Sequence, residues 1–391
     1  MLRMKYPIAQ PDISRVEMGW VMEALAECEL SGHGKHVRMF EEKFAEFIGT
    51  RYCLAAPNGT ITLHLILVAL GVGPGDEVIL PSQTISNCAF AVSLTGATVV
   101  AVDIDKDTWC MDPIEMKKAV TSKTKAVMPT HLYGGIPCNM RLIKEILDEY
   151  KDVTGRKVWI IEDCAESIGS SVDSSPVEFG DEFKMTGSIG DVASFSFFAN
   201  KTLMTGEGGA ITTSDKILYE KMKYLRNVAY GTDPETKFWA NDMGFNYRPS
   251  NLICALGLGQ LERIGYLMER RNEIHSYYEQ FLDNRYVFQT VPEYAQPCYW
   301  MNAVLCPSNR SKIMKTLAER YGVETRPTFP PIGSHPYLKK SGLVRSCGEK
   351  VSEDVWNRGL LFPSAGKHLT RESVKEICGC ANMCLDEFCK E

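Results

Sequence analysis

The sequence predicts an α/β protein: a mostly parallel sheet with helices on both faces, followed by a smaller C-terminal α/β unit. Three observations predict it. Short apolar runs alternate with runs of helical period through the first half of the chain. Four of those runs, EVILPS, ATVVAVDI, KAVMPTHLYG and KVWIIEDCAE, end in polar residues, as strands do where ligands gather at the carboxyl edge of a parallel sheet. The length of 391 residues suits one large domain with a smaller one.

From Ile13 to Phe47 the pattern is helical, interrupted by the loop LSGHGKH. TITLHLILVAL then reads as a helix opened by Asn58, Gly59 and Thr60. CAFAVSL and NMRLIKEILDEYKD supply helices between the four strands. After Asp191, VASFSF and GAITTS read as two strands around a stretch rich in glycine. One long helical pattern runs from about Pro249 to Leu282, with Ile274, Tyr277, Tyr278, Phe281 and Leu282 in phase. Strands near YWMNAVLCP and helices near SKIMKTLAERYG and the terminus complete a second unit. This places a large domain with an N-terminal arm at 1–262 and a small domain at 263–391.

Composition narrows the function. Hydrophobic content of 45% and charged content of 24% are those of an ordinary globular chain, long enough to bury a sizeable core. The net charge is −6 with acids and bases interspersed, so no basic stripe points to nucleic acid. The opening MLRMKYPIAQPDIS has no long apolar run, so no secretory signal is expected, and no apolar stretch is long enough to span a bilayer. The 14 cysteines are scattered, which implies buried thiols in a reducing, cytoplasmic setting. Cys378, Cys380, Cys384 and Cys389 lack zinc-type paired spacing and fall within a terminal helical pattern, so no metal site is expected.

Two residues raise a chemical question. Asp163 closes the strand VWIIED, and a buried carboxylate needs a partner. Alone it reads as a helix cap or salt bridge. Lys201 lies between the aromatics of FSFF and the glycines Gly206, Gly208 and Gly209. Alone it reads as a surface lysine on a hairpin, although such a setting could desolvate the amine and make it nucleophilic. Together they point to pyridoxal phosphate, which needs a lysine for its Schiff base and an acidic partner for its ring nitrogen. Its phosphate suits the helix start at Gly59 and Thr60, joined by the hydroxyl of Ser196. A dinucleotide site in GVGPGDEV is disfavoured, because Gly71, Gly73 and Gly75 neither follow a first strand nor open a helix.

Over nearly its whole length the sequence resembles the DegT/DnrJ/EryC1/StrS sugar aminotransferases, a group of pyridoxal phosphate enzymes of fold type I. The resemblance rests on NGTITLHLILVALGVGPGDEVILPS, IEDCAESIGS, GDVASFSFFANKTLMTGEGGAITTSD and GFNYRPSNLICALGLGQLE, in the family's order. It implies that Lys201 anchors the cofactor and that Asp163 pairs with the pyridine nitrogen. It further implies that Glu166 sits by the ring hydroxyl and that Gly59, Thr60 and Ser196 hold the phosphate. Asn246 of the partner subunit would join them, which implies a homodimer with composite active sites. Ile85 stands where many members stack an aromatic ring on the cofactor. Arg248 and Arg326 lie in motifs near the substrate, though an arginine is more often a structural ion-pair partner. Gly333 stands where some members place a histidine, and His335, two residues later, would substitute for it on the substrate side. The family's dehydratases carry histidine in place of Lys201, so the resemblance implies an aminotransferase. Glutamate would donate the amine through pyridoxamine phosphate to a nucleotide-linked keto sugar. FSFFANKT, HLYG, NYRPSN and ETRPTFPP make C4 amination of GDP-4-keto-6-deoxymannose the first expectation. A UDP- or dTDP-linked 4-keto or 3-keto sugar is the alternative, and a non-catalytic relative that binds cofactor or sugar is a third reading. The segment SVDSSPVEFGDEFKMTGSIGD is enlarged relative to the family.

Overall fold

A computed structural model describes residues 4–173, 183–231, 233, 235, 236 and 238–389. Its centre is an eight-stranded sheet. In spatial order the strands are Tyr52–Ala56, Gly209–Thr213, Val192–Ser196, Trp159–Asp163, Thr124–Val127, Glu77–Pro81, Thr98–Val102 and Val344–Ser346. Only Gly209–Thr213 runs against the others. The inner strands read as continuous apolar runs because both faces are covered by helices. A four-stranded antiparallel sheet, ordered Val287–Phe288, Asn302–Leu305, Gly359–Phe362 and Arg326–Pro327, forms the C-terminal unit with the helices Arg310–Tyr321 and Arg371–Phe388. The α/β architecture expected from the alternating pattern is therefore present, with its smaller C-terminal part.

Two local expectations are corrected, and one strand had not been expected. The strand Tyr52–Ala56 at the sheet edge follows the helix Lys35–Ile48 directly and has no sequence pattern of its own beyond five small and apolar residues. The run KAVMPTHLYG forms a strand only over Thr124–Val127; HLYG turns away, with the Tyr133 and Gly134 N–H groups donating to Gln289 Oε1. The long helical pattern is two helices, Asn251–Glu262 and Ile264–Phe281, broken at Arg263. The break has a cause that periodicity does not carry. Arg263 ion-pairs with Asp12 at 2.7 Å and Glu17 at 2.6 Å, which anchors the N-terminal arm at the joint.

The glycines of GLGLGQ serve packing. A Cβ on Gly259 would lie 2.6 Å from the Glu17 backbone, and one on Gly257 would lie 2.8 Å from Phe40. Their absence lets Arg15–Ala26 and Lys35–Ile48 press against Asn251–Glu262. Beneath them, Phe44 packs against Phe40, Phe195 and Phe197 with ring centroids 5.0 to 5.5 Å apart, two of the contacts edge-to-face. This aromatic cluster forms the support of the segment that carries Lys201. Cys378, Cys380 and Cys384 are buried in the terminal helix as small apolar residues. No helix among the described residues is long and apolar enough to cross a membrane. Of the enlarged segment, residues 174–182 lie outside the described residues; Ser171–Asp173 pairs with Phe183–Met185 on one side and with Ala295–Gln296 on the other.

Candidate active site

The parallel strands end on a cavity of about 630 Å³ between the large sheet and the C-terminal unit. Gly59, Thr60, Ile85, Asp163, Glu166, Ser196, Lys201 and Arg326 all line it. These residues arrive from five separate segments: two helix starts, two carboxyl ends of strands of the large sheet, and the strand Arg326–Pro327 of the C-terminal unit.

Lys201 sits in the turn after Val192–Ser196, where its N–H donates to Phe198 O at 2.8 Å. Its side chain is 11% exposed, so the surface-hairpin reading does not hold. Nζ lies 3.5 Å from Glu166 Oε1 and 3.9 Å from the centroid of the Trp300 ring. Burial lowers the amine's pKa against the pull of Glu166 and Asp163. A less basic amine is a better nucleophile at neutral pH. Glu166 faces the opposite shift. Burial pushes its carboxyl up to about 8, opposed by Lys201 and reinforced by Asp163. Its second oxygen, Oε2, is buried without a hydrogen-bond partner. An orphaned polar atom in a cavity wall is costly unless a ligand meets it.

Asp163 and its neighbour Glu162 show how strand alternation divides two carboxylates. Asp163 is 2% exposed and turns to the cavity, with Oδ1 accepting from the Ala165 N–H at 3.1 Å and Oδ2 from the Cys88 thiol at 3.0 Å. Glu162 faces the other way and accepts from the backbone N–H groups of Gly187, Ile189 and Gly190 at 2.6 to 3.0 Å. His131 accepts from the Cys138 N–H on Nδ1, so its Nε2 proton points to Glu162, 3.3 Å away. Burial raises the Glu162 carboxyl, and His131 with the backbone donors more than offsets it. The helix cap or salt bridge expected of an isolated Asp163 is absent among the described contacts; the structural carboxylate here is Glu162.

At the start of the helix Gly59–Ala69, Asn58 Oδ1 accepts from the Ile61 N–H at 3.0 Å and Thr60 Oγ1 accepts from Asn87 at 2.7 Å. A Cβ on Gly59 would fall 2.9 Å from Ser196 Cβ, so glycine lets the helix start meet the serine. Helix N–H groups and a hydroxyl side by side suit a phosphate. Ile85, at the start of Ser86–Leu94, adds an exposed aliphatic wall. Arg326 is half exposed at the rim, 3.2 Å from Glu324.

Three candidates lie outside this cavity. Asn246 pairs through its backbone with Asn227, and the Arg248 guanidinium donates to Asn227 Oδ1. His335 starts the helix Pro336–Ser341, with a buried, unbonded Nε2 and a pKa lowered by burial. Two cavity residues had no sequence signal. Cys88 is one buried thiol among many, and Trp300 reaches Lys201 from the C-terminal unit.

The residues fit pyridoxal phosphate: a buried amine, a carboxylate opposite it, a carboxyl with an orphaned oxygen, and a helix start joined by a hydroxyl. Comparison with known proteins points the same way. The family model described as "DegT/DnrJ/EryC1/StrS aminotransferase family" matches residues 11–382. GDP-perosamine synthase of Escherichia coli O157:H7 is 35% identical over 382 residues, covering 97% of this chain and 98% of that one. GDP-perosamine synthase of Caulobacter vibrioides is 38% identical over 336 residues, covering 84% and 85%. Among solved structures, the aminotransferase TlmJ from Streptoalloteichus hindustanus superposes with a TM-score of 0.87 at 27% identity, covering 98% of this chain and 99% of that one.

Proposed function

This chain belongs to the DegT/DnrJ/EryC1/StrS aminotransferase family, and from that premise we propose that it transfers the amino group of glutamate to C4 of GDP-4-keto-6-deoxymannose, giving GDP-perosamine. At the coarser level it is a pyridoxal-phosphate-dependent nucleotide-sugar aminotransferase. The names of the two perosamine synthases support the finer assignment. The observation that carries the chemistry is the desolvated amine of Lys201 in one cavity with Asp163 and the orphaned oxygen of Glu166.

When bound, pyridoxal phosphate supplies an electron sink for the pair left when a proton leaves the amine-bearing carbon. Lys201 would hold the group through its amine, and that Nζ would take a proton from the donor's amine-bearing carbon and, in the second half of the cycle, return one to C4 of the sugar. The turn fixed by the Phe198 carbonyl keeps that amine within reach. Asp163, held by Cys88 and the Ala165 N–H, would keep a proton on the ring nitrogen. Glu166, whose carboxyl is raised to about 8 by burial, would donate to the ring hydroxyl. Gly59, Thr60 and Ser196 would hold the phosphate, Ile85 would cover the ring, and Arg326 would meet the anionic substrate at the rim.

The proposal extends to a homodimer. Asn246 does not line the cavity of its own chain, and the segment beside it exposes Phe238, Trp239 and Met243. Such a surface suits burial against a second copy, where Asn246 would reach the partner's phosphate. Arg248 and His335, outside the cavity, would act on substrate only in that assembly or after closure.

The test is an absorbance spectrum of the purified protein with pyridoxal phosphate, repeated with glutamate and on Lys201→Ala. The expected result is a visible band that glutamate bleaches and the variant lacks. GDP-, dTDP- and UDP-linked keto sugars are then ranked by how well they restore it, with the GDP sugar expected first. A protein that never forms the band is not an aminotransferase, and restoration by a dTDP or UDP sugar alone overturns the substrate assignment.

A further inference from the structure

The buried guanidinium of Arg271 stands behind the lysine and has no role in the chemistry above. It projects from the helix Ile264–Phe281 and is 5% exposed. Among the described residues no carboxylate lies within ion-pair distance of it. Its hydrogen bonds go to two backbone carbonyls: Nη1 donates to Trp300 O at 2.6 Å and Nη2 to Asn200 O at 3.1 Å. Those carbonyls belong to the residue preceding Lys201 and to the residue whose ring lies beneath its Nζ. Trp300 closes the figure, since its indole Nε1 also donates to Asn200 O, at 3.0 Å.

A buried cation without a carboxylate is an expensive way to join two carbonyls. A flat fork with donors in fixed directions is what such a joint needs, because a loop and a ring from opposite sides of the cavity must be held at once. We propose that Arg271 is a positioning residue: it ties the Lys201 turn to Trp300 and so fixes the amine over the indole ring, dry and in reach of the substrate carbon. This rests on the reading of Lys201 as the reactive amine. Charge assists geometry. Burial holds the Arg271 guanidinium down to about 10, and Arg271 adds to the forces that lower Lys201. The other charged groups around the amine are Glu166 and Asp163 from the strand end, with Glu207 and Arg326 across the main cavity. Asp12 and Arg270 lie across a small cavity behind the lysine.

The experiment reads the Lys201 amine directly in the full chain. Competitive acetylation across a pH series, quantified by mass spectrometry of the Lys201 peptide, gives its titration midpoint without any cofactor. The set is wild type, Arg271→Met, Arg271→Lys, Trp300→Phe and the two double variants. Trp300→Phe keeps a ring and removes the indole donor. Arg271→Met removes a like charge and admits water, and both favour the protonated amine, so the midpoint is expected to rise by about one unit. Labelling below the midpoint then falls about tenfold. Arg271→Lys, which keeps the charge but loses the fork, is expected to shift in the same direction. Each double variant is expected to shift less than the sum of its single changes, because the two residues act through one joint. A wild-type midpoint in Arg271→Lys, or additive shifts, would mean that Arg271 acts by charge alone and overturns the proposal. If Arg271→Met does not fold, the Arg271→Lys and Trp300→Phe cycle carries the same decision. Failure of the cofactor band leaves these midpoints readable, so the two readings fail separately.

Discussion

Replacing Glu17 by glutamine tests whether the joint at Arg263 is held by charge. The Glu17 side chain is fully buried and accepts from the Ser14 N–H at 2.8 Å, Gln260 Nε2 at 2.7 Å and Arg263 Nη1 at 2.6 Å. Burial raises its pKa, but the Ser14, Arg263 and backbone donors outweigh burial and bring the carboxyl down to about 2 from 4.5. The folded value lies below the unfolded one, so the stabilisation is complete above the unfolded value and is lost as pH falls towards the folded one. The shift corresponds to at most about 3.4 kcal/mol near neutral pH. Linkage removes about 1.4 kcal/mol of it by a pH of about 3.5. Glu17→Gln is therefore expected to cost about 3 kcal/mol near neutral pH, with a smaller difference from wild type in acid. Urea unfolding of both proteins along a pH series measures this. A difference that stays constant between neutral and acidic pH would refute the electrostatic account and leave only shape and hydrogen bonding. A difference below about 0.5 kcal/mol at neutral pH would mean that the network contributes no more than an exposed ion pair.

Three further changes bear on the site. Gly59→Ala puts a Cβ 2.9 Å from Ser196 Cβ; pyridoxal phosphate affinity is expected to fall about tenfold or more, while helix propensity offsets much of the strain in the empty protein. Fluorescence titration checks the first and thermal melting the second; unchanged affinity would remove Gly59 from the cradle. Glu166 has a folded pKa of about 8 against 4.5 unfolded, so its protonated form favours folding, and that advantage is lost as pH rises from 4.5 towards 8. The cofactor-free Glu166→Gln protein is therefore expected to gain melting temperature relative to wild type over that interval, and a flat difference contradicts the raised value. Phe44→Ala removes a fully buried ring that meets Phe40, Phe195 and Phe197, and urea unfolding should show a loss of about 3–5 kcal/mol. Because Phe195 and Phe197 lead into the lysine turn, cofactor affinity should fall with it.

Much of the site could be seen in the chain because its chemistry is local. Asp163 ends a run of apolar residues, Gly59 and Thr60 follow a capping asparagine, and Lys201 sits between a strand and a glycine turn. Each is marked within about ten residues, and a parallel sheet brings strand ends together whatever the helices between them do. Residues whose role depends on a distant partner left no such mark. Glu162 and Asp163 look equivalent in sequence, and only the direction of each side chain at the sheet edge separates the carboxylate tied to backbone N–H groups from the one facing the cavity. His335 was placed among the substrate residues by its motif, and the fold sets it at a helix start outside the cavity lining.

The sequence by itself determined the fold class, and it marked the carboxyl edge of the sheet with the lysine and aspartate that the fold brings to one cavity. These follow from alternation, capping and turn residues, which act over a few peptide units. Tertiary structure alone decided that the long helical pattern breaks at Arg263, that Val344–Ser346 returns to the edge of the large sheet, and that Trp300 lies beneath the amine of Lys201. The reason is physical: hydrophobic periodicity reports which face of an element is buried, and says nothing about which distant residue buries it.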